Sequence, residues 1–237
     1  MGNMAELNQS MSHETQASGR QIATEAGPMK LYYSETLHPR KACAIAKYLD
    51  FPVEYVPVDL SKGEHLTSAF RAINPNAKVP VLVHAGKTLW ESNAIMCYLA
   101  AQAGSDLWPH DTRQFDVIRW LNWDASEFLP QAGAFYFEYI IKSRIGLGPP
   151  DPAVIEKATK GFHRYARVLD DHLGARRYLV GDGLTVADFA VAITLPYADE
   201  AHIPLDNYPA IRRWHARLNE HAAWRDPFPR PGDHEHK

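Results

Sequence analysis

From Met29 to Asp59 the sequence reads as a strand, a helix and a second strand, and that order constrains the fold more than any other feature. "MKLYYS" is short, aromatic and β-prone. "HPRKACAIAKYLD" places Ala42, Ile45, Ala46 and Leu49 at i, i+3, i+4 and i+7, with Pro39 in the first turn. "PVEYVPVD" is again a strand, and Pro57 marks it as an edge. Two strands joined through a helix run parallel with a right-handed crossover. "SKGEHLTSAFRAIN" adds a short helix. "VPVLV", a turn at Ala85-Gly86 and "TLW" form an antiparallel hairpin, and "SNAIMCYLAAQAG" is a helix ending at Gly104. The first half therefore reads β-α-β-α-β-β-α.

After "SDLWPHD" the strand signals stop. Residues 113–142 carry one long aromatic-rich helical pattern, expected to kink near Pro130. "LGPPDP" breaks it, and residues 153–173 form an amphipathic helix with Ile155, Ala158, Phe162, Tyr165, Leu169 and Leu173 inward. "GDGLTVADFAVAITL" opens another helix, with Thr185 as N-cap, Asp188 as its partner at N3 and a Leu184–Phe189 staple. In "NYPAIRRWHARLNEH" Ile211, Trp214 and Leu218 face inward. The second half is all-helical. The expected division is a disordered extension over 1–28, an α/β domain over 29–104, an all-helical domain over 112–224 and a flexible tail over 225–237.

The formal net charge is −3, which gives no electrostatic case for nucleic acid or an anionic membrane. Residues 1–28 lack the apolar core of a signal peptide, and no apolar stretch has the length of a membrane span. Cys43 and Cys97 sit among apolar residues without a CxxC spacing, which fits buried free thiols and a reducing cytoplasm. The His-bearing end "DHEHK" is too short to close a metal site.

Three stretches carry candidate chemistry. Pro80, second in the run Val79 to Val83, fits an edge strand that happens to contain proline. A cis Val79–Pro80 bond would instead turn the N–H and C=O of Val79 outward, to pair with an extended peptide. Glu91-Ser92 opens a helix, where Ser92 reads locally as an N-cap. The same position offers backbone N–H groups and a hydroxyl to a carboxylate, and Glu91 offers an anion to an ammonium. In "SETLHP", Ser34, Thr36 and His38 surround the start of the first helix. They read either as capping groups or as donors that stabilise a bound thiolate.

The chain resembles the cytosolic glutathione transferases, especially theta-like and nu-like bacterial classes, through "KGEHLTSAF", "NPNAKVPVL", "LWESNAI" and "LVGDGLTVADFAVA". The resemblance implies an N-terminal thioredoxin-like α/β domain that binds glutathione and an all-α C-terminal domain that supplies the second-substrate pocket. It implies a homodimer and glutathione as co-substrate, with no metal or other cofactor. Val79 matches the position whose backbone pairs with the cysteinyl part of glutathione. Glu91 and Ser92 match the pair that holds its γ-glutamyl end, and His65 and Lys78 match contacts to its glycyl carboxylate.

The catalytic position departs from the family pattern. The theta-like serine position holds Leu37, the beta-class cysteine position holds His38, and Tyr33 lies near the tyrosine of other classes. Alignment to the nu-like Thr-Pro-Asn loop puts Thr36 at the threonine and His38 at the asparagine. Thr36 is therefore the expected thiolate donor, with His38 assisting and Ser34 second in line. Leu37, Trp123 and Phe137, with His38, Trp120 and Phe128, are candidates for the second-substrate pocket. The implied activity is attack of glutathione thiolate on an electrophile. Disulfide reduction, dehalogenation and a non-catalytic glutathione-binding role are the alternatives.

Overall fold

The computed structural model describes residues 28–230. The extension expected over 1–28, apart from Pro28, and residues 231–237 of the expected tail lie outside the described residues. The chain divides into two compact units. One runs to Asp106 and takes in the segment from Pro227, and the other spans Leu107–Asp226.

In the first unit the elements are β1 (Met29–Tyr33), α1 (Leu37–Tyr48), β2 (Val53–Pro57), a 3-10 turn (Glu64–Leu66), α2 (Ser68–Ile73), β3 (Val81–His84), β4 (Lys87–Trp90) and α3 (Ser92–Gln102). This is the expected β-α-β-α-β-β-α order. The sheet runs β2-β1-β3-β4, with β1 and β2 parallel and the other neighbours antiparallel. Met29, Leu31 and Tyr33 are buried while Lys30 and Tyr32 are partly exposed, the period-two alternation of a strand. Tyr32, Val81 and Val83 share one face and pack with Val58, Phe70 and Ile73, so that α2 covers that face. Leu31 and Leu82 point to the opposite face, on the side of α1 and α3. Ala42, Ala44, Ile45 and Ala46 of α1 are fully buried, and α1 lies along α3, which buries Ile95, Met96 and Leu99. The small alanines allow this close approach.

In the second unit, α4 (Arg113–Trp123), α5 (Leu129–Phe135) and α6 (Lys142–Ile145) form one continuous helical run. Two π-turns, Asp124–Phe128 and Tyr136–Ile141, join its pieces. Proline inside an α-helix clashes with the carbonyl four residues back. For Pro130 that residue is Ser126, and the wider π-turn falls there. A local change of helix type thus accompanies the proline.

The next helix, α7 (Pro152–Leu173), starts where Asp151 accepts the Ala153 N–H at 2.8 Å. Ala158, Phe162, Ala166, Leu169 and Leu173 are buried, so Ala166 joins the inward stripe while Ile155 and Tyr165 stay partly exposed. A Cβ at Gly161 would overlap the Gln131 side chain, so α5 approaches α7 closely there. The remaining helices are α8 (Val186–Val191), α9 (Pro209–Leu218) and α10 (Ala222–Arg225). At the start of α8 the expected capping box is present. Asp188 is fully buried and accepts from the Leu179 N–H (2.9 Å), the Thr185 N–H (2.9 Å), the Thr185 hydroxyl (3.1 Å) and the Trp214 indole (3.0 Å).

The tail expected from residue 225 onward differs up to Arg230. Arg225 is helical, Pro227 is buried, and Phe228 stacks on Tyr33 at 6.1 Å. An aromatic flanked by prolines finds an apolar partner on β1, which holds this stretch in place. No helix among the described residues is long and apolar enough to cross a membrane.

Candidate functional site

Helices α1 and α3 begin side by side in the first unit, and the loop before β3 faces their starts across a cleft of about 370 Å³. The cleft is lined by Thr36 and His38 from α1, His65 from the 3-10 turn, Lys78 and Val79 from the loop, and Glu91 and Ser92 from α3. Seven residues singled out in four separate stretches of sequence thus meet on one surface.

Each is held there for a local reason. The Val79–Pro80 bond is cis, and Val79 lies just outside the β3 ladder, which begins at Val81. Among the described residues its backbone N–H and C=O make no bond to another backbone group outside the regular elements. Glu91 has φ of +71°, a conformation uncommon for a residue with a side chain. It is the N-cap of α3, and Ser92 is the first helical residue. This corrects the reading of Ser92 as the cap. Ser92 is 5% exposed, and its hydroxyl pairs with His38 Nδ1 at 3.3 Å. Thr36 is the N-cap of α1, yet its hydroxyl makes no capping bond to the helix. That removes the capping explanation and leaves the hydroxyl at the cleft. His65 Nδ1 is enclosed without a hydrogen-bond partner among the described residues, a state that buried polar atoms rarely keep without a ligand or water.

Lys41 and Lys78 place positive charge near His38 at the start of α1. His38 keeps an exposed edge, but desolvation of its enclosed face lowers its pKa to about 4, with Lys41 and Lys78 adding to the shift. It is therefore neutral near pH 7. The protein's own thiols are poor nucleophiles. Burial drives the Cys43 thiol far above its ordinary range and pushes Cys97 up to about 12. Both cysteines are free. Tyr33 is buried between Tyr55 and Phe228, and desolvation raises its phenol. Among the described residues no group of His, Cys, Asp and Glu is placed to hold a metal ion.

The other expected residues lie elsewhere. Ser34 is not among the lining residues; its carbonyl accepts the Thr36 N–H at 2.7 Å. Leu37 is 8% exposed and belongs to the core of the first unit. In the second unit Trp123 stacks on the buried Phe128 at 5.5 Å and meets Trp120 edge to face at 5.0 Å. Phe128 and Trp120 are core, while Phe137 in the second π-turn is 43% exposed.

Asn74 was not singled out from the sequence. It is buried, and its Nδ2 donates to the Lys78 carbonyl at 2.7 Å, while its Oδ1 accepts the Asn76 N–H at 3.0 Å. These bonds close the loop that presents Lys78 and Val79. The signal was the turn-forming "NPNA" that precedes them. Lys41 and Asn93 also escaped notice; the Lys41 ammonium donates to Asn93 Oδ1 at 3.2 Å, joining α1 to α3.

Residues 28–101 match the glutathione S-transferase N-terminal domain, and residues 152–217 match the glutathione S-transferase C-terminal domain. Glutathione S-transferase 3 of Zea mays is 36% identical over 192 residues, covering 78% of this chain and 84% of the relative. The structure of glutathione S-transferase III in apo form superposes with a TM-score of 0.76 at 28% identity, over 86% of this chain and all of that one. Ure2p in complex with glutathione gives a TM-score of 0.75 at 25% identity, over 86% of this chain and 99% of the other. Zea mays, Oryza sativa and Nicotiana tabacum supply relatives at 30–36% identity, which lends no support to a bacterial theta-like or nu-like subclass. The matched domains span both units, and the chain belongs to the glutathione S-transferase family.

Proposed function

We propose that this protein is a glutathione transferase in which the Thr36 hydroxyl stabilises the thiolate of bound glutathione. The observation that carries the reading is Thr36 itself: an N-cap residue at the cleft whose hydroxyl is not used by its helix. Glutathione lies extended with its cysteinyl backbone against Val79, completing the sheet side of the cleft. Its γ-glutamyl carboxylate meets Ser92 and the start of α3, with Glu91 near its ammonium. Its glycyl carboxylate meets His65 and Lys78.

A free thiol with a pKa of about 8.5 is mostly protonated at neutral pH. A hydroxyl donor and the start of α1 both favour the anion. The thiolate then forms a carbon–sulfur bond to the electrophile as its leaving group departs with the bonding pair, and the thiol proton passes to solvent. Holding both reactants in one site supplies proximity. His38, neutral, orients the Ser92 hydroxyl. Leu37 fills the position of the family serine, and the unused Thr36 hydroxyl lies one residue before it. A homodimer in a reducing cytoplasm completes the reading, and exposed Leu66 and Trp90 offer apolar surface for a second copy.

The test is turnover of glutathione with three substrate sets: an activated aryl halide, a haloalkane and a mixed disulfide. Thioether formation is the expected result. Halide release from the haloalkane alone would assign a dehalogenase, and disulfide exchange alone a reductase. Glutathione binding with no turnover on any set would contradict a catalytic role.

A further inference from the structure

Asn74 spends every polar group it has on closing α2 and on the loop that follows. Its N–H donates to the Phe70 carbonyl at 2.9 Å, and its carbonyl accepts the Ala77 N–H at 2.9 Å. Its Oδ1 accepts the Asn76 N–H at 3.0 Å and the Asn76 Nδ2 at 3.1 Å, while its Nδ2 donates to the Lys78 carbonyl at 2.7 Å. A backbone N–H can only donate and a carbonyl can only accept, so these partners fix which way round the carboxamide stands. The residue is 2% exposed, and a bond left unmade there would strand a desolvated group. The same bracket holds Ala77 at φ of +52°, a conformation uncommon for a residue with a side chain.

The Lys78 carbonyl belongs to the same peptide unit as the Val79 N–H. That unit is planar and trans; the cis bond is the next one, Val79–Pro80. In a trans unit the C=O and N–H point opposite ways. With the carbonyl turned in to Asn74, the N–H is turned away from the loop. Val79 lines the cleft, and its N–H donates to no backbone carbonyl outside the regular elements. Resting on the transferase reading, we propose that Asn74 is a positioning residue for glutathione: its carboxamide locks the Lys78–Val79 peptide unit with the N–H facing the cysteinyl carbonyl. Without the lock the unit is free to rotate, and a rotated unit sets two carbonyls against each other.

The test crosses a protein change with a ligand change. Asn74→Asp keeps the size and the oxygen that accepts from Asn76, and loses the donor to Lys78. It is compared with the native chain for binding of glutathione and of an analogue in which an (E)-alkene replaces the cysteinyl–glycine amide, removing the cysteinyl carbonyl. Asn74→Asp is expected to weaken glutathione about tenfold or more and the analogue less than about twofold. The added charge acts on both ligands alike, because both carry the same carboxylates. Asn74→Ala repeats the cycle without that charge. Equal weakening of both ligands, which a direct contact or a general loosening of the loop would give, or none for glutathione, would overturn the proposal.

The native chain gives an independent reading should neither variant fold. The Asn74 carboxamide protons should exchange slowly with solvent before any ligand is added. The Val79 amide resonance should move on saturation with glutathione and stay in place with the analogue. Fast carboxamide exchange in the free chain, or equal movement of the Val79 resonance with both ligands, would overturn the proposal. If the native chain binds no glutathione, the transferase reading falls and this proposal falls with it. Native binding with equal losses removes the role of Asn74 alone.

Discussion

Ser92→Ala is expected to raise the dissociation constant for glutathione by about 10- to 100-fold while leaving the melting temperature almost unchanged. A hydrogen bond to a charged group is worth roughly 1.5–3 kcal/mol, and each 1.4 kcal/mol is tenfold in affinity. The Ser92 hydroxyl is buried at the cleft and its protein partner is the His38 ring, not an N–H of its own helix. Glu91 occupies the N-cap, so removal of the hydroxyl takes no cap from α3. Isothermal titration with glutathione and a thermal melt of the same sample separate the two effects. Unchanged affinity would remove Ser92 from the site; a lowered melting temperature with unchanged affinity would make it a structural residue.

Asp188→Ala is the largest expected stability loss, roughly 4 kcal/mol or more. The carboxyl accepts four hydrogen bonds, from Leu179, twice from Thr185 and from Trp214. Alanine strands two backbone N–H groups and an indole N–H in a fully buried place. Each such donor costs about 1–3 kcal/mol when its partner is removed. A loss of 4 kcal/mol lowers the melting temperature by roughly 8–16 °C in a chain of this size. Burial pushes the Asp188 pKa up while the four donors pull it down, and desolvation is the larger effect. Thr185→Ala, which removes one of the four contacts, should cost only about 1 kcal/mol. Chemical denaturation of both variants checks the ratio. Equal small losses would mean that the network is dispensable.

The elements were legible because their signals are local. The alternation of "MKLYY" and the stripe from Ala158 to Leu173 follow from periods of 2 and 3.6 residues. The capping box at Thr185 and Asp188 was legible for the same reason, since its partners lie three residues apart. Pro80 stood out because it departs from what a strand prefers, and Glu91 and Ser92 because they open the helix that follows the same hairpin.

What escaped reading depends on distant neighbours. Lys41 looks like a solvated cation in sequence, and only the packing of α3 against α1 buries it. Phe228 reads as part of a loose tail, and its partner Tyr33 lies almost two hundred positions earlier. The φ of Glu91 follows from how β4 turns into α3 and shifts the cap by one residue. The π-turns were not legible from the proline alone. The choice among Ser34, Thr36 and His38 turns on which side chain is free at the cleft, which sequence order cannot convey.

That choice is also where the account is most exposed. Thiolate absorbance near 240 nm, followed across pH for glutathione bound to the native chain and to Thr36→Ala, measures it directly. The native complex should titrate below the free thiol's pKa of about 8.5, and Thr36→Ala should move the titration back up by about one unit or more. An unchanged titration in Thr36→Ala, with Ser34→Ala or His38→Ala raising it instead, would contradict the assignment.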